Sequence, residues 1–309
     1  MKNKVIAIVG PTAVGKTKLS IEVAKRFSGE VISGDSMQVY RGMDIGTAKI
    51  TKEEMQGIPH YMIDMKDPDE PFSVADFQQY VTHYIDIISK KNKLPILVGG
   101  SGLYVQAALY SYNFPTYKRD EEVVEKLENE IAAFGIEPLY KRLQEIDPKQ
   151  AAKIHPNNYR RVVRALEIYE TTGKRMSDFQ QQVKESPFDV KLIGLEMQRD
   201  ELYKRINHRV DMMMERGLIN EVKKLYQKGY THEQSMQAIG YKEFIPYFKG
   251  EKTLKKAVET LKQNSRRYAK RQYTWFRNKM DVVWYDVSDG AINEKFRKIL
   301  DDLAGFLHS

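Results

Sequence analysis

The chain predicts an α/β fold, a parallel sheet flanked by helices of the P-loop NTPase-like kind, carrying an all-helical insertion domain. Three observations lead there. Apolar runs at residues 5–9, 31–33, 94–98, 191–195 and 282–287 alternate with helical segments, the pattern of strands joined by helical crossovers. The first run leads straight into Gly10-Pro11-Thr12-Ala13-Val14-Gly15-Lys16-Thr17, a complete G-x-x-x-x-G-K-[ST] phosphate loop, with a helix expected over residues 19–27. Between Pro115 and Pro187 strands are missing, and helical apolar spacing recurs at residues 121–134, 137–146, 148–154 and 158–171. The expected organisation is therefore a core made of residues 1–115 and 188–309, interrupted by a helical domain at 116–187.

Each element has a local reason. A buried strand that turns through glycine into a helix aims backbone N–H groups and a positive helix end at one point, where linked phosphates can sit. Gly10, Thr12, Ala13, Val14 and Gly15 would supply that cradle, Lys16 a point charge, and the Thr17 hydroxyl a ligand for a magnesium ion bridging phosphate oxygens. The run 94–98 continues into Gly99-Gly100-Ser101-Gly102, a second glycine turn at the same carboxyl edge of the sheet, where ligands of such folds bind. The second strand ends in Gly34-Asp35-Ser36-Met37-Gln38. Asp35 faces the same cleft, with three roles open to it: outer ligand of magnesium, general base, or loop cap.

Composition excludes several classes. The 309 residues exceed one ordinary core, and 41% are hydrophobic, yet no apolar run approaches the length of a membrane span. Zero cysteines rule out disulfides, thiolate metal sites and a cysteine nucleophile, which fits a cytoplasmic protein. The first strand opens at Val5, so no cleavable leader is expected. Six histidines never fall at i, i+3 or i, i+4 spacing, which speaks against zinc.

Charge is unevenly spread. The formal net charge is +8, and residues 262–279 hold seven basic side chains (Lys262, Arg266, Arg267, Lys270, Arg271, Arg277, Lys279) with no acidic one. Tyr268, Tyr273, Trp275 and Phe276 are interleaved among them. Cations and rings together suit a polyanion with stackable bases, while a solvated helix whose rings face the core is the competing reading.

Six ordered motifs resemble the bacterial-type tRNA dimethylallyltransferases. They are the phosphate loop; Gly34 through Lys49; Gly99-Gly100-Ser101-Gly102-Leu103-Tyr104; Arg161-Val162-Val163-Arg164-Ala165-Leu166-Glu167; Ala238-Ile239-Gly240-Tyr241-Lys242-Glu243; and Tyr268 through Arg277. The resemblance covers nearly the whole chain. Ser101 stands where relatives often carry Thr, and Ser265 likewise, each keeping a hydroxyl.

The resemblance implies transfer of a dimethylallyl group from dimethylallyl diphosphate to N6 of adenosine 37 in tRNAs reading codons that begin with U. It implies Arg209, ahead of Arg205, as the arginine that stabilises the departing diphosphate beside Lys16 and Thr17-bound Mg2+, and Asp35 as base for the attacking amine. Ser36, Met37 and Gln38 would join Asp35 at the adenosine. Ser101, Arg161, Arg164, Gly240, Tyr241, Lys242, Lys270, Arg271, Gln272, Trp275 and Arg277 would meet the tRNA anticodon stem-loop, in a monomer that needs no membrane. On spacing alone Arg209 reads as an ordinary surface arginine of an amphipathic helix. A nucleoside or nucleotide kinase shares the loop, the lid-like insertion and magnesium. A regulatory GTPase lacks support because no Asn-Lys-x-Asp signature occurs, and a prenyl-chain synthase because no Asp-Asp-x-x-Asp does.

Overall fold

A computed structural model describes residues 2–110, 112, 119–179, 185–288 and 292–308. The strands are β1 (Lys4–Val9), β2 (Gly29–Ser33), β3 (His60–Tyr61), β4 (Leu94–Gly99), β5 (Asp189–Glu196) and β6 (Val283–Asp286). The longer helices are α1 (Lys16–Arg26), α2 (Val74–Lys90), α3 (Gly102–Tyr110), α4 (Glu121–Phe134), α5 (Glu137–Ile146), α6 (Tyr159–Thr172), α7 (Arg199–Glu215), α8 (Leu218–Gln227), α9 (Leu254–Lys279) and α10 (Ile292–His308).

The six strands form one sheet in the order β3-β2-β4-β1-β5-β6, and every pairing is parallel. Such a sheet needs cover on both faces, which is why β1 reads as an unbroken apolar run rather than an alternating one. Val5, Ile6, Ala7, Ile8 and Val9 are all fully buried. Ile6, Ile8, Val31, Ile96, Ile193 and Leu195 share one core with Leu19 and Val23 of α1, Leu202 and Ile206 of α7, Ala269 of α9, and Phe296 and Ile299 of α10. Phe77, Val81, Ile85 and Ile88 line the buried stripe of α2 at helical spacing. Its start is fixed by a capping box, Ser73 and Asp76 each bonding the other's backbone N–H.

Strand β3 is absent from the sequence reading. It has only two residues, too few for any periodicity, and exists because Val31 and Ile32 of β2 pair with His60 and Tyr61. The other five strands fall on the five expected apolar runs.

The chain divides into two compact units, one of Met1–Leu109 with Ser186–Ser309, the other of Tyr110–Glu185. The expected boundary at 115 and 116 lies outside the described residues. The smaller unit holds α4, α5 and α6 around its own core, with Leu127, Leu143, Val162 and Leu166 fully buried. Within it Arg161 is exposed, and Arg164 pairs with the wholly buried carboxylate of Glu167, which also accepts the Asp120 N–H at 3.1 Å.

Candidate active site

The phosphate loop bridges β1 and α1 at the carboxyl edge of the sheet. Gly10 (φ 142°) and Gly15 (φ 112°) take backbone conformations that disfavour side chains, and a Cβ on Gly10 would lie 2.5 Å from the Leu195 carbonyl oxygen on β5. Val14 is buried in the core, so only its backbone is available to a ligand. No side chain caps the N-terminus of α1 at Gly15, which leaves the first-turn N–H groups directed at the loop's concavity. The Lys16 ammonium donates to the Gly10 and Pro11 carbonyls at 2.9 and 2.7 Å.

A cleft of about 540 Å³ opens over this loop. Thr12, Ala13, Gly15, Lys16 and Thr17 line one side; Asp35, Gln38, Thr47 and Ala48 another; and Arg209, Tyr268 and Gln272 close it from α7 and α9. Arg209 reaches the Thr12 hydroxyl at 3.4 Å. Arg205, one turn earlier, turns instead to the Met197 sulfur at 3.6 Å. Ile21, Val31, Ile50 and Ile63 add an apolar portion to the same cleft.

Asp35 lies just beyond β2. Its Oδ1 accepts the Met37 N–H at 2.8 Å, so the carboxylate does cap its own loop. Burial pushes its pKa up, against the Met37 and Gln38 N–H groups and the Lys16 charge, which pull it down. Lys16 moves the opposite way. Burial and then the Arg209 guanidinium bring it down to about 7, with Asp35 opposing. Both groups are shifted toward their neutral forms, as burial in one cleft dictates, and perturbed groups of this kind gather at functional sites.

The remaining expected residues separate into cleft, surface and core. Ser36, Met37 and Gln38 are half-buried beside Asp35, and Lys242, Lys270 and Arg271 are exposed. Ser101 is buried, its hydroxyl 3.5 Å from that of Tyr268. Three positions expected at the tRNA are buried and engaged within the protein. Tyr241 is fully buried and donates to Glu221 at 2.7 Å; Gly240 is buried, its N–H on Glu243 at 2.9 Å. Gln272 is 5% exposed and holds the cradle itself: its amide oxygen accepts the Thr12 N–H, and its nitrogen donates to the Gly100 carbonyl, both at 3.0 Å.

Most of the interleaved rings turn inward. Phe276 is fully buried, Tyr273 bonds the Met197 N–H at 2.9 Å, and Trp275 is packed so close to Gly102 that a Cβ there would lie 2.3 Å from its ring. Arg277 pairs with Glu196 at 2.5 Å and stacks over Tyr273 and Trp284. Tyr268 is the functional candidate that the sequence reading left among the rings. It lies four residues before Gln272, hence on the same helix face, and that spacing was the available signal.

Fold and site together define a P-loop-like α/β protein whose loop faces a partly desolvated carboxylate across one cleft. The model of the family described as IPP transferase matches residues 38–279. A tRNA dimethylallyltransferase of Oceanobacillus iheyensis is 61% identical over 308 residues, covering 99% of this chain and 98% of that one. The crystal structure of a tRNA isopentenylpyrophosphate transferase from Bacillus halodurans superposes with a TM-score of 0.76 at 55% identity, covering 99% of this chain and 97% of the other. A eukaryotic dimethylallyltransferase acting on tRNA superposes with a TM-score of 0.80 at 36% identity, covering 93% and 74%. The chain belongs to the IPP transferase family.

Proposed function

We propose that this protein transfers the dimethylallyl group of dimethylallyl diphosphate to N6 of adenosine 37 in tRNAs that read codons beginning with U, releasing diphosphate. The observation that carries this reading is the single cleft in which the phosphate loop, Lys16 and Arg209 face Asp35 across an apolar portion. A prenyl diphosphate presents the same two linked phosphates as the end of a nucleotide, so a nucleotide-type cradle holds it unchanged.

The exocyclic amine of adenine is a weak nucleophile because its lone pair is delocalised into the ring. As N6 bonds to the first carbon of the donor, the carbon–oxygen bond breaks and negative charge grows on the diphosphate. Lys16, Arg209 and the first-turn N–H groups of α1 meet that charge where it develops. Asp35, its proton affinity raised by burial, takes the proton that N6 loses. Magnesium suits the donor set. The Thr17 hydroxyl lines the cleft at the first turn of α1 and would offer a hard cation an oxygen ligand. Bound there, it would add positive charge at the leaving group.

The target base is extruded from a stacked anticodon loop, and exposed Arg267, Lys270 and Arg271 on α9 supply phosphate contacts to that stem-loop. Among the described residues no helix is long and apolar enough to cross a membrane. A cytoplasmic monomer completes the proposal. The test uses labelled dimethylallyl diphosphate, magnesium and an anticodon stem-loop. Label on the adenosine next to the anticodon, with no requirement for ATP, is expected, whereas ATP consumption with phosphoryl transfer to an acceptor would restore the kinase reading.

A further inference from the structure

Residues 42–49, the second half of the Gly34–Lys49 motif, and the motif 238–243 have no chemistry of their own in the proposed reaction. They are packed against each other. The Tyr241 ring lies against Gly46 so closely that a Cβ there would sit 2.5 Å from it. Between them reaches Glu221, in the first turn of α8. Its Oε2 accepts the Asp44 and Ile45 N–H groups at 3.0 and 2.8 Å, and its Oε1 accepts the Gly46 N–H at 3.0 Å and the Tyr241 hydroxyl at 2.7 Å. Three successive backbone N–H groups converging on one point form an anion-holding concavity, and here the protein fills it with its own carboxylate.

The loop held in this way continues into the cleft. The Thr47 and Ala48 carbonyls accept the Gln38 amide nitrogen at 3.3 and 3.4 Å, and the Gln38 oxygen accepts the Ser33 hydroxyl at 2.9 Å. Ser33 in turn accepts the Asp35 N–H at 3.4 Å. These bonds fix which end of the Gln38 amide faces which neighbour, and they connect Glu221 to the segment that carries Asp35. On its other side the clamp is tied down by Glu243, which accepts Gly240 N–H and the Asn264 amide at 2.9 and 2.7 Å.

We propose that Glu221 is a positioning residue for the acceptor half of the cleft: through residues 44–48 it sets Gln38, and with it Asp35, against the incoming base. The inference rests on the transfer reading above. Only an ionised carboxylate offers two acceptor-only oxygens to four donors; a glutamine would turn an NH2 toward a backbone N–H. The four Glu221 bonds end on residues 44–46 and 241, none of them in the phosphate loop, so the donor half should respond far less than the acceptor half to their loss.

The test is E221Q in the full chain. The expected result is at least a tenfold fall in kcat/KM for an anticodon stem-loop, a dissociation constant for unreactive dimethylallyl thiolodiphosphate within twofold of wild type, and faster amide exchange confined to residues 38–48. Y241F, which removes one of the four bonds, should move the stem-loop kinetics the same way by about two- to fivefold. Stem-loop kinetics within twofold of wild type in E221Q overturn the proposal, and so does a parallel loss of donor-analogue binding. If E221Q loses exchange protection throughout the chain, Y241F decides, and its unchanged stem-loop kinetics overturn the proposal. Failure of the function itself is seen separately, as wild-type protein that transfers no label.

Discussion

Asp35 and Lys16 carry opposite perturbations, and each makes a measurable demand. For Asp35 the folded pKa is raised by burial, so the base loses its proton at a higher pH than a free aspartate does. The acid limb of kcat/KM should therefore lie above the pKa of a free aspartate, with activity falling as pH falls through it. Asp35→Asn should lower kcat by about 10²- to 10⁴-fold while leaving the stem-loop dissociation constant within about threefold; unchanged turnover in a single-turnover assay would remove the base role. The same shift has a stability consequence. Between the unfolded value and the raised folded one the native state binds more protons than the unfolded state, so stability falls as pH rises through that window. Asp35→Asn should accordingly melt higher than wild type at pH 7, and lose that advantage toward the acid end. Lys16, brought down to about 7, must be charged to hold a diphosphate. Above pH 7 donor-analogue binding should take up a proton and weaken by up to about tenfold per pH unit. Calorimetry in two buffers of different ionisation enthalpy checks this, and Lys16→Met should abolish the dependence. At this scale the sequence displayed Lys16, Thr17 and the glycines openly, because their spacing is dictated by the ligand. It could not display the shift of Asp35, which arises from burial by residues far away in the chain.

Helix α9 carries a side chain bonded to the phosphate loop and an exposed basic face on the same element. Gln272 bonds the phosphate loop and the second glycine turn from one face, while Arg267, Lys270 and Arg271 are exposed. The basic run was visible in the sequence as a charge pattern, but a charge pattern says nothing about which members point outward. The structure engages Lys262 with Asp211, Arg266 with Asn207 and Arg277 with Glu196. Gln272, expected at the tRNA, is buried and bonded to Thr12 and Gly100, because it lies about 100° around α9 from exposed Arg271. Gln272→Ala should therefore raise the donor-analogue dissociation constant by about five- to tenfold, the order expected for losing a hydrogen-bonded brace and leaving the Thr12 N–H unpaired. Stem-loop affinity should stay within twofold; the reverse split, measured by titration of each ligand alone, would return Gln272 to the RNA side. Lys270→Ala and Arg271→Ala should each reduce the slope of log affinity for the stem-loop against log salt by about 0.7–0.9, with no change in donor binding.

Among the described residues one hydrophobic core surrounds the sheet and a separate one lies within the Tyr110–Glu185 unit. The sequence disclosed this as a loss of strands between two prolines, since strand periodicity and helix periodicity bury different faces. A unit with its own core can unfold on its own. The phosphate loop, Arg209 and Asp35 all belong to the larger unit, so a ligand bound there stabilises that unit by mass action, about 2.7 kcal/mol at a hundredfold excess over the dissociation constant. For a unit of this size that corresponds to a rise of roughly 5–10 °C in its transition. Calorimetry with dimethylallyl thiolodiphosphate should show two transitions, the larger moving upward and the smaller staying within about 1 °C. Lys16→Met should cancel the movement without lowering either transition in the absence of donor, since its ammonium is held against its own charge state by burial. One transition moving as a whole would mean that the two cores unfold as a single cooperative block, and that donor occupancy stabilises the helical unit as well.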